Sequence, residues 1–174
     1  MNRTLRAAAL LLLAYAPLAS AGNLRTQVLD LLNAYEDTAT AEELKALGPK
    51  VDRELMHIAD DDHVPSSRRS RAITALGFFP GDDVRDFLVS HTEAADKGIL
   101  RRKAVMSLAV AYGEEAVPTV VKALADDDDL LRVAAAQALA LIDAEASTTA
   151  LRSRLEVEQS AAVKEAIDKA LEAR

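Results

Sequence analysis

Acidic residues gather at a few points of this chain: Asp60-Asp61-Asp62, Asp96, Asp126 to Asp129, and Glu156 with Glu158. Carboxylates at that density can hold Ca²⁺, a hard cation that takes oxygen ligands. They can also cap a following helix, where Asp meets the positive end of the helix dipole. None of these turns has the alternating ligands and Gly of a calcium loop, so capping is the expectation and no metal ligand is assigned. Histidine occurs at positions 57, 63 and 91, and only His63, after Asp60 to Asp62, stands near other ligand-type residues. Zinc requires such groups clustered, so one His beside one acidic turn is a weak signal. There is no Cys, and no nucleophile elbow, phosphate-cradling glycine loop or zinc-protease helix. The residues point to a protein that is not an enzyme and carries no cofactor.

The basic residues show a pattern of their own. Arg69, Arg101, Arg132 and Lys164 recur at nearly constant spacing. Such a column could read an anionic ligand in a row, but it first demands helices that hold it. Asp126 to Asp143 shows the helix most clearly, because Leu131, Ala135, Ala138, Leu139 and Ile142 fall on one face of a 3.6-residue period. The same face returns about every 32 residues. Leu76, Leu108, Leu139 and Leu171 form one column, at spacings of 32, 31 and 32. Ala75, Ser107, Ala138 and Ala170 form another, and Ala72, Ala104, Ala135 and Ile167 a third. These belong to the second helix, B, of a repeating pair. The first helix, A, sets Val51, Val84, Val117 and Thr148 in one column and Leu55, Leu88, Val121 and Arg152 in the next. A third A column runs Ile58, His91, Leu124, Leu155. One pair cannot bury its apolar face alone, but stacked pairs can, so the fold expected is an all-α solenoid. In Gly77-Phe78-Phe79-Pro80-Gly81, Phe78 aligns with Val110 and Leu141, and Phe79 with Ala111 and Ile142, which predicts core packing for both rings. Asp168 replaces the apolar Ile73, Val105 and Ala136, as an outer face of the array should.

The N-terminus reads differently. Arg3 and Arg6 precede the apolar run Ala7 to Ala16, Pro17 follows, and Ala19-Ser20-Ala21 offers small residues to a signal peptidase. The apolar stretch is about 15 residues, short of the roughly 20 a membrane span needs. Residues 1–21 are therefore expected to be a cleaved signal peptide, with the protein exported to the periplasm or beyond the cell. Cleavage removes two of 21 basic residues and none of 28 acids, so a net charge of −7 becomes about −9. That charge disfavours nucleic acid, and no stable membrane insertion is expected after cleavage. Residues 22–48 are expected to form a capping helical pair, with a capping box at Thr40 and Glu43 and a stop at Gly48-Pro49. Residues 49–174 form the array, divided near 49–79, 80–113, 114–143 and 144–174.

The acidic A–B turns, the Arg column and the Ala-rich B helix together resemble HEAT repeats, in particular the short bacterial type first named for phycobilisome lyases. Asp127 to Arg132 and Ala134 to Leu139 is the clearest copy, and the likeness covers about residues 49–172. Longer A–B turns at Ala59 to Ser67 and His91 to Gly98 depart from it. The resemblance implies a right-handed, HEAT/armadillo-like superhelix of about four to five antiparallel helix pairs. It also implies a structural ladder in which Arg69, Arg101, Arg132 and Lys164 pair with turn acids such as Asp127. The extra cations Arg68, Arg71, Arg102 and Lys103 are left over for an external contact. In such a solenoid the B helices line the concave side. The B face turned from the core is expected to hold Ser70, Thr74 and Gly77; Arg102, Met106 and Ala109; Val133, Gln137 and Ala140; and Glu165 and Lys169. Thr74, Arg102, Met106, Val133 and Gln137 are the partner-binding candidates. A monomer that binds a protein or peptide is the expected function. A metal-binding or accessory subunit of an envelope enzyme, built on the Asp60–His63 turn, and a spacer without ligand are the alternatives.

Overall fold

A computed structural model describes residues 23–33, 39–94 and 98–173. The expected signal peptide and Asp96 lie outside them. The elements are α1 (Leu24–Asn33), α2 (Ala41–Ala46), α3 (Val51–Asp60), α4 (Ser66–Leu76), α5 (Asp82–Thr92), α6 (Gly98–Tyr112), a 3₁₀ turn (Gly113–Ala116), α7 (Val117–Leu124), α8 (Asp129–Leu141), α9 (Glu145–Val157) and α10 (Ala161–Glu172). No strand occurs among the described residues. The helices α3, α5, α7 and α9 are the A helices, and α4, α6, α8 and α10 the B helices. α1 lies against α3 and α4.

Local chemistry explains several boundaries. Thr40 caps α2 by accepting from the Glu43 N–H while Glu43 accepts from the Thr40 N–H, a reciprocal capping box. Gly48 follows at φ +123°, a conformation that L side chains rarely adopt. The Asp128 side chain accepts from the Leu130 N–H and starts α8. Gly113, at φ +52°, turns the chain between α6 and α7. That bend matters for one compositional signal. Gly98–Leu124 is long and apolar enough to cross a membrane, but it is two helices and a turn whose inner faces pack within the array.

The core runs along the stack. Ala72, Ala104, Ala135 and Ile167 are buried, as are Ala75, Ser107, Ala138 and Ala170. Small side chains in these columns let the B helices pack on one another in an unbroken row, more extensively than the A helices do. Gly77 sits where α4 meets α6: a Cβ there would stand 3.2 Å from the Thr74 carbonyl and 3.7 Å from Ser107. Ser107 Oγ donates to the Ile73 carbonyl of the preceding B helix at 2.9 Å.

Three alignments from the sequence are corrected. In α9 the buried residues are Ser147 and Leu151, not Thr148 and Arg152. In α7 Val120 is fully buried while Val121 is only half-buried. A charged Arg152 has no place in an apolar column, and a one-residue rotation of the last A helix moves it to solvent. The column of Phe78 is not a core column either, although Phe78 itself packs against the core. Its counterparts Val110 and Leu141 are 60% and 57% exposed, and Phe78 is itself half-buried. On the B face, Ser70, Gly77 and Ala109 are buried, because neighbouring helices cover these small residues.

Candidate functional site

Two constellations concentrate the charged and exposed groups: the turn-side ladder and the outward face of the B helices. In the ladder, Arg132 carries the densest set of contacts. Its Nε and one terminal nitrogen meet both oxygens of Glu158 at 2.9 and 3.0 Å. The other terminal nitrogen donates to the backbone carbonyls of Asp126 and Asp127, and Asp129 completes the set at 2.6 Å. Glu158 is 1% exposed at its side chain. Burial pushes its carboxyl up, but donors from Arg132, Ser160 N–H, Arg154 and Gln159 N–H outweigh that and bring it down to about 2. Glu158 in turn holds Arg132 above the usual guanidinium value, through its hydrogen bonds first.

The other rungs follow the same logic. Arg101 spans to both oxygens of Asp126 at 3.3 and 2.5 Å, and its Nε donates to the Thr92 carbonyl. Asp126 is lowered: burial opposes its charge, and Arg101 and the Asp128 N–H overcome that. Arg69 donates to the Ala59 carbonyl and pairs with Asp62 at 2.6 Å. In the Arg101–Asp126 and Arg132–Glu158 rungs a B-helix arginine grips the A–B turn of the next repeat. Asp127 contributes only its backbone carbonyl, because its side chain faces solvent while Asp126 and Glu158 reach inward. Lys164 is exposed, since no further turn packs beside α10 among the described residues.

One rung escapes the column spacing altogether. Arg25 of α1 pairs with Glu54 at 3.0 Å and Asp61 at 2.5 Å, clamping α1 onto the first A helix and its turn. No repeat register announces it, because α1 lies before the first full pair. His91 is a second such link. It is buried, with Nε2 at 3.1 Å from Asp60 of the preceding A helix and Nδ1 at 3.0 Å from the Phe87 carbonyl.

These contacts bear on the metal alternative. Asp61 and Asp62 are already paired with Arg25 and Arg69, and exposed His63 leans on Asp61 at 3.1 Å. Among the described residues no three His, Cys, Asp or Glu are grouped to hold a metal ion.

The outward B face is different in kind. Thr74 and Gln137 are exposed; Arg102, Met106 and Val133 are half-buried. Arg102 stands 4.0 Å from Asp128. Around Met106 and Gln137 lie Ile99, Val110, Leu130 and Leu141, exposed by 44, 60, 58 and 57%. Ile99 and Val110 occupy the same two positions on α6 that Leu130 and Leu141 occupy on α8. At the α1 end the face deepens into a pocket of about 430 Å³, lined among the described residues by Leu31, Leu32, Phe78, Ile99, Arg71 and Lys103, with smaller residues between. Repeat alignment put Val110 and Leu141 in the Phe78 column, read as core, and gave Ile99 and Leu130 no role. Their matched outward positions on α6 and α8 are the signal that would have found them.

A stack of antiparallel helix pairs, joined by arginine–carboxylate rungs between repeats, defines an α-solenoid repeat protein. A family profile for HEAT repeats matches residues 86–172, half of the chain, and the chain belongs to the HEAT-repeat family. No curated protein matches it. HEAT repeats are commonly protein-interaction scaffolds and generally non-enzymatic.

Proposed function

We propose that this protein is an exported, non-enzymatic interaction scaffold that binds a protein or peptide along the outward, concave face of its B helices. One observation carries the reading: four large apolar side chains on matched positions of α6 and α8 surround Met106 and Gln137 and are covered by nothing in the chain's described residues. Contiguous exposed apolar surface rimmed by polar groups marks interaction sites. The acidic turns and Arg column support a likeness to the short bacterial, phycobilisome-lyase type, from which no lyase activity is carried over.

Affinity capture with the purified protein tests the reading. The control bait is the double variant Arg102→Glu, Gln137→Ala. A partner held by the natural protein and lost by the variant supports this face, and a partner held equally by both removes it. Export is tested at the N-terminus: protein recovered from envelope or medium should begin at Gly22, whereas an intact Met1 there takes signal cleavage out of the proposal.

A further inference from the structure

The outward B face differs at its two ends. Near the helix N-termini both signs of charge occur and are largely engaged with one another. Arg102 stands 4.0 Å from Asp128, and Arg68 and Arg71 are held by Asn33 and the Leu32 carbonyl of α1. Near the C-termini of α6 and α8 the surface is apolar and acidic. Val110 and Leu141 occupy matched positions in the last turns of the two helices, 60% and 57% exposed, with Met106 and Gln137 one turn before them. The next acids along the chain are Glu114 after Val110, and Asp143 and Glu145 after Leu141, all exposed. Glu145 also meets the positive end of α9, in whose first turn it lies. Glu114 and Asp143 have no ion pair and no side-chain hydrogen bond among the described residues. The nearby cations are already engaged, Arg85 with Asp82 and Glu115, and Lys169 with Glu165. Lys103 stands seven residues before Val110, about 10.5 Å along the helix, and Arg174 lies outside the described residues. A second observation has the same sign. Helix C-termini carry partial negative charge and favour cations, yet α4, α6 and α8 have no basic residue in their last turns.

We propose that the C-terminal ends of α6 and α8 receive a basic amphipathic helix of a partner protein, its apolar stripe on Val110 and Leu141 and its cations against Glu114 and Asp143. The proposal rests on the scaffold reading and names its partner's chemistry. A helix fits the spacing of the surface. Packed helices stand about 8–10 Å apart, and residues seven apart on a helix are about 10.5 Å apart along its axis. A partner helix laid across α6 and α8 therefore meets Val110 and Leu141 with two side chains of one stripe, and Met106 supplies an adaptable neighbour. Its lysines or arginines then meet both the two carboxylates and the negative ends of α6 and α8. Laying the apolar face of a helix on such a surface is a common mode of recognition, and the acids set orientation and exclude acidic partners.

The test uses fluorescence anisotropy with a designed peptide of about 18 residues, five turns of helix, carrying Leu along one stripe and Lys elsewhere. The whole chain is acidic, at −7, so the controls must separate this site from general attraction of a basic peptide. Binding is read at about 0.15 M salt, where the screening length is about 8 Å. Comparison peptides replace every Lys by Glu, or every Leu by Ala. The Leu–Lys peptide should bind the purified protein, and the other two should bind at least about tenfold more weakly. The double variant Glu114→Lys, Asp143→Lys should weaken binding by about tenfold or more, and so should Val110→Asp, Leu141→Asp. The control variant Asp86→Lys, Glu156→Lys makes the same change in net charge at exposed positions on α5 and α9 and should leave binding as it is. All four site residues are exposed, and circular dichroism of each variant checks that the fold is retained. No binding of the Leu–Lys peptide, equal binding of its Ala counterpart, or equal loss in the site and control variants overturns the proposal. A natural partner captured through Arg102 and Gln137 but not displaced by the Leu–Lys peptide overturns it too, and leaves the scaffold reading standing.

Discussion

Arg132 and Glu158 show how a buried ion pair becomes a structural device. Two charges out of water are costly unless all their donors and acceptors are met. Here the carboxylate receives two guanidinium nitrogens, a second arginine and two backbone N–H groups. The consequence is a defined acid response. The Glu158 carboxyl titrates near 2 in the folded protein against 4.5 in the open chain. Its contribution is complete above about pH 4.5 and is lost as pH falls toward 2, on the order of 3 kcal/mol. Urea unfolding from pH 7 down to pH 3 should show that loss, and Glu158→Gln should flatten it while lowering stability at pH 7 by about 3–5 kcal/mol. An unchanged acid profile in the variant would assign the loss to other carboxylates. The basic column was legible in the sequence at this scale, but its partners were not. Neighbouring acids in Asp126 to Asp129 are equivalent on paper, and only backbone geometry decides that Asp126 turns inward and Asp127 outward.

The B helices work because their inner columns are small. Gly77 shows the limit, with Ser107 of the next B helix within ordinary contact of where a Cβ would stand. Gly77→Val should force α4 and α6 apart and cost about 1–3 kcal/mol through overpacking, read from thermal unfolding. A neutral result would mean that the two helices have slack there. Period 3.6 and the recurring Leu column placed the helices, and the Thr40–Glu43 capping box was readable from residue types alone. The rotation of α9 was not. A weakly amphipathic helix with Ser147, Thr148 and Thr149 in its first turns offers several faces of similar hydrophobicity, and only packing against α7 and α8 selects Leu151.

In a solenoid each repeat touches only its neighbours, so position along the stack sets what a core residue contributes. Leu139, in the third repeat, is fully buried between repeats on both sides, whereas Leu171, its equivalent in the fourth, is half-buried. Leu139→Ala should cost about 2–5 kcal/mol through the cavity it leaves. The same change at Leu171 should cost distinctly less in matched denaturant melts, and equal losses would show α10 to be covered as fully as α8.

The sequence by itself determined the repeat, the helical class, the small-residue columns and the separation of the acidic turns from the basic column. Those follow from periodicity and residue type, which act locally. Only the tertiary structure decided which acid completes each rung, that Arg25 joins the ladder from outside the repeats, and that Val110 and Leu141 face outward while Phe78 packs against the core. Those outcomes depend on how two helices from different repeats rotate against each other, and a rotation of one residue, about 100° on a helix, exchanges a core side chain for a surface one.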